Sequence, residues 1–140
     1  MKRFDALLEK DVADYEGDFS SLIRKAPALY GLMTRLLSDN ALPSKMSPLV
    51  IAAIAYFILP GDIIPEDKLG PAGYVDDIYL CAFAANEITK ATGSQEILVR
   101  NWDGDASVMA VVKEILDQEK ELLGDKRDRI LEYIGYDQIE

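Results

Sequence analysis

No histidine occurs anywhere in the chain. That absence removes every Ser-His and Cys-His catalytic pair, and every histidine-held metal, at once. Cysteine is nearly as scarce. Cys81 is the single one, so no disulfide can form within the chain. This suits a reducing compartment, and a cytoplasmic location, extending at most to a membrane surface, is expected. Cationic residues are also few, 15 Lys and Arg against 25 Asp and Glu, which gives a net charge of −10. Such a balance argues against a nucleic-acid partner, because gripping phosphates needs clustered Lys and Arg. It opposes electrostatic docking on anionic lipid as well. Behind Lys2 and Arg3 no apolar run follows, so no signal peptide is expected.

Long hydrophobic runs are missing too. The most apolar stretch, PLVIAAIAYFIL at residues 48–59, has only twelve residues. As a helix it would reach about 18 Å, against the roughly 30 Å and 20 residues that a bilayer core demands. It therefore cannot span, although a membrane-lying or re-entrant hairpin stays open alongside burial in a protein core. Nor does any segment alternate apolar and polar residues as a half-buried strand would.

Helical patterning fills the chain instead. With 140 residues and 49% apolar composition, a single helical domain over 1–140 is expected. Phe4, Leu7, Leu8, Val12 and Tyr15 recur at helical spacing, with Gly17 as a stop. Leu29, Leu32, Met33, Leu36 and Leu37 form a second stripe, started near Pro27 and ended by Asp39 and Asn40. Ser47 and Pro48 read as N-cap and first residue of the apolar helix. A second apolar helix runs from about residue 74 to Thr92, with Gly93 as its stop. Ser94 can cap a short helix, and Asp103 or Asp105 a longer one with Val108, Val111, Val112, Ile115, Leu116, Leu122 and Leu123 on one face. Gly124 closes that helix, and Asp125 can cap a last one with Ile130, Leu131 and Ile134. The sum is an all-α, compact bundle of about six to seven helices around a central apolar hairpin at 48–92.

Between the hairpin's two arms lies LPGDIIPEDKLGPAGYVDD, residues 59–77, with three prolines, three glycines and five acidic side chains. Broken helices leave backbone N–H groups without partners, and short carboxylates are suited to accept from them. Asp76 and Asp77 fall early in the second helix, where its dipole favours negative charge. Asp77 shares a helical face with Cys81 and Ala84 and should point inward, while Asp76 leans to one side. The other reading is a cation site. Asp62, Glu66, Asp67, Asp76 and Asp77 are hard oxygen ligands of the kind that suit Mg²⁺, Ca²⁺ or Mn²⁺.

This stretch resembles the YkvA-type family, a prokaryotic domain of unknown function. The resemblance covers about residues 48–90. It is carried by Pro60, Asp62, Ile64 and Pro65, followed by Gly73, Asp76 and Asp77. It implies two apolar helices joined by that elbow and possible membrane association, and it brings no established activity.

Three further motifs are weaker. Asp103, Asp105, Ser107 and Glu114 fall at positions one, three, five and twelve of an EF-hand loop, but Val108 stands where the sharp turn needs glycine. Cys81 lies in an apolar setting with no base nearby in sequence and reads as an inert core thiol. Trp102 can anchor a short helix or serve as a binding hot spot. No catalytic residue set emerges. The favoured reading is a non-enzymatic helical module acting through contact with a protein partner. The alternatives are a divalent-metal carboxylate protein or hydrolase using the acidic elbow, and a peripheral or re-entrant membrane protein.

Overall fold

The computed structural model describes residues 9–10, 13, 20–58, 75–104 and 107–123. Among them are seven α-helical segments, one 3₁₀ turn and no strand. They are α1 (Ser20–Ile23), α2 (Ala26–Leu37), α3 (Ser47–Ile58), α4 (Val75–Thr92), α5 (Glu96–Asn101), α6 (Val108–Asp117) and α7 (Glu119–Leu123). The all-α bundle expected from periodicity is what forms. The stripe through Phe4, Leu7, Leu8, Val12 and Tyr15, the residues Asp105, Gly124 and Asp125, and the helix carrying Ile130, Leu131 and Ile134 lie outside the described residues.

Helix α2 follows its pattern closely. Pro27 occupies the first turn, where its missing N–H costs nothing. Leu29, Leu32, Met33 and Leu36 are fully buried. Leu37 is the exception at 41% exposed, because one residue step swings it about 100° away from Leu36.

Helix α3 starts differently from expectation. Ser47 has helical dihedrals, φ −57° and ψ −44°, and is not an extended N-cap. A 3₁₀ turn at Ser44–Met46 feeds straight into the helix, and its first hydrogen bond runs from Met46 N–H to the Pro43 carbonyl at 2.8 Å. The extended residue is Pro43, at φ −59° and ψ 135°, four positions earlier than foreseen. Pro48 still falls in the first turn of α3, where no helical N–H partner is lost.

Helix α4 is the centre of the molecule. Residues 76–85 are all buried, around its whole circumference. It packs against α1, α2, α3, α6 and α7 and the 3₁₀ turn. Gly93 ends it at φ +72°, the left-handed geometry that glycine adopts without a Cβ penalty. Helix α3 packs on α2, α4 and the 3₁₀ turn, and buries Leu49, Val50, Ala53 and Tyr56.

Two later boundaries also differ from the sequence reading. Ser107, not Asp103, caps α6. Its backbone is extended, φ −61° and ψ 132°, and its hydroxyl accepts from Ala110 N–H at 3.4 Å. The long helix foreseen through Leu123 breaks at Gln118, whose N–H is shared between the Glu114 and Ile115 carbonyls, both at 3.2 Å. The apolar face nonetheless holds, with Val108, Val111, Val112, Ile115 and Leu123 buried.

Candidate functional site

The elbow's two helical carboxylates open the site. Asp76 and Asp77 sit in the first turn of α4, and both are completely buried. Asp77 thus points inward as its face requires, and Asp76, expected to lean aside, is sealed just as fully. Burying a carboxylate without donors is prohibitively costly. For Asp76 one donor is Tyr56, whose hydroxyl gives a 2.8 Å hydrogen bond to Oδ2. The bond joins the last turn of α3 to the first turn of α4, as the two arms of a hairpin must be joined. Tyr56 is itself buried, so the pair lies in a low-dielectric setting where a hydrogen bond is electrostatically stronger than in water. The remaining elbow residues, Pro60, Asp62, Ile64, Pro65, Glu66, Asp67 and Gly73, lie outside the described residues. Among the described residues no group of three or more Cys, Asp or Glu side chains is placed to hold a metal ion.

Sequence reasoning missed Tyr56. The available signal was that it carries the one hydroxyl within VIAAIAYFIL, residues 50–59.

A second polar cluster ties α2 to α5. Asp39 takes both arms of the Arg100 guanidinium, Nε at 2.9 Å and Nη2 at 2.9 Å. It also accepts from Asn101 Nδ2 at 2.9 Å and from Ala41 N–H at 2.9 Å. The Arg100 bonds, then those from Asn101 and Ala41, hold the Asp39 carboxyl well below the usual carboxylate range. Beside it, Arg35 donates from Nε to the Asn101 carbonyl at 2.7 Å and pairs with Asp103 at 3.2 Å. Asp103 is therefore a surface ion-pair partner and not a helix cap. No sequence signal links Asp39 to Arg100 across 61 positions.

The other motifs resolve into structure. Val108, at the sixth position of the EF-hand register, is a buried core residue opening α6, so the turn that a calcium loop needs is not made there. Cys81 is fully buried, and burial pushes its thiol far up, which disfavours the thiolate that chemistry would require. Trp102 packs partly buried against the core just after α5. It presses so closely on Gly104 that a Cβ there would come within 2.4 Å of the indole ring. A cleft of about 480 Å³ opens beside it, lined among others by Arg24, Lys25, Gly31, Arg35 and Asp103.

The face of α3 turned away from the core is a further feature. Ile51 is 50% exposed and Pro48 is exposed, with Ala52 and Ala55 partly so. No charged residue occurs in the helix. No described helix is long and apolar enough to cross a membrane.

Residues 48–83 match the family described as a protein of unknown function, DUF1232. The DUF1232 match takes in α3 from Pro48, the elbow and α4 through Phe83, and so both ends of the Tyr56–Asp76 bond. It supports the resemblance to a prokaryotic domain of unknown function drawn over about 48–90. Beyond the DUF1232 segment, the chain is similar to a protein of Methanothermobacter thermautotrophicus described as uncharacterized protein ORF9. The two are 24% identical over 133 residues, 95% of this chain and 90% of the relative. No solved structure gives a significant match.

Proposed function

We propose that the chain is a non-enzymatic helical module that works by protein contact, with the outward face of α3 as the contact surface. One observation carries the reading: a helix on the outside of the bundle turns Pro48, Ile51 and Ala55 toward solvent and has no charge to offer there. Surface helices ordinarily show a polar outer face, and contiguous exposed apolar area marks places where something binds. Two further points favour it. Asp76 is engaged by Tyr56, and Cys81 is sealed away from solvent.

The test is a photo-crosslinking residue placed at position 51 and, as control, at Lys113, which is exposed on α6. In cells, position 51 should yield a discrete protein adduct that position 113 does not. The same face favours a membrane-lying protein as a second reading. Lipid adducts at position 51, with flotation on neutral vesicles, would establish that instead. Equal, diffuse labelling from both positions would overturn the use of this face altogether.

A further inference from the structure

We draw no further inference here: the strongest candidate, the outward apolar face of α3 around Ile51, belongs to the surface already proposed, and nothing in the structure shows what covers it.

Discussion

Tyr56 and Asp76 stand twenty positions apart, on opposite sides of the proline-rich elbow, yet they meet at 2.8 Å in a fully buried setting. A bond so placed fixes how the two arms of the hairpin approach. Removing the donor while keeping the ring isolates its contribution. Tyr56→Phe should lower stability by about 1–3 kcal/mol, the cost of withdrawing a partner from a buried polar group, read as a shift of the urea midpoint without a change in slope. An unchanged midpoint would mean that the hydroxyl is dispensable. The same carboxylates raise the question of a cation. If Asp76 and Asp77 serve the polypeptide, melting temperatures in EDTA and in Mg²⁺, Ca²⁺ or Mn²⁺ should coincide. A rise that grows with the concentration of one metal would reassign the acidic elbow to ion binding, since a ligand held by the folded state stabilises it by mass action. The inward direction of Asp77 was legible, because it follows from helical spacing alone. The Tyr56 partner was not, because nothing local says which hydroxyl the elbow brings to which acid.

At the scale of elements, a dense polar junction sets Asp39 against α5. Arg100 and Asn101 both reach it from the end of that helix, and Ala41 N–H closes the turn beneath it. The carboxyl is held below its ordinary range, so the folded state binds its proton less readily than the unfolded chain. By linkage this favours folding at pH values above the unfolded pKa of about 4. The benefit fades as pH falls through and below that value. Asp39→Asn removes the charge, so wild type should exceed the variant in stability at pH 7, and the gap should narrow steadily below about pH 4. Urea unfolding of both proteins at pH 7 and pH 3 checks it. A gap of the same size at both pH values would show that the junction works through shape and not charge. Element boundaries were legible where a single strong signal acts, as at Gly93 and in the Leu29–Leu36 stripe. They shifted where two signals compete. Asp103 is drawn to Arg35, which leaves the cap of α6 to Ser107. The 3₁₀ turn ahead of α3 relieves Ser47 of capping.

For the whole molecule, the informative asymmetry lies between the two apolar helices. From composition both α3 and α4 belong in a core, and only α4, over residues 76–85, is enclosed on every side. An all-apolar helix carries no pattern to say which of its sides is covered, so the open side of α3 could not be read from the sequence. The asymmetry gives a direct contrast within one helix. Ile51 and Ala53 lie two residues apart on α3, the first 50% exposed and the second fully buried. A carboxylate at position 51 meets water, so Ile51→Asp should cost about 1 kcal/mol or less while abolishing whatever that face binds. A carboxylate at position 53 meets the closed interior. Ala53→Asp should cost about 3–5 kcal/mol, the scale of an uncompensated buried charge, enough to unfold a marginally stable domain. Circular dichroism melts of the two variants, run beside the position-51 crosslinking experiment, separate the outcomes. Cooperative melting of Ile51→Asp near the wild-type temperature, with loss of the adduct from a crosslinker moved to position 55, supports a contact surface that the fold does not need. Collapse of both variants alike would show that the exposed side of α3 is part of the core after all, and the proposed contact would fall with it.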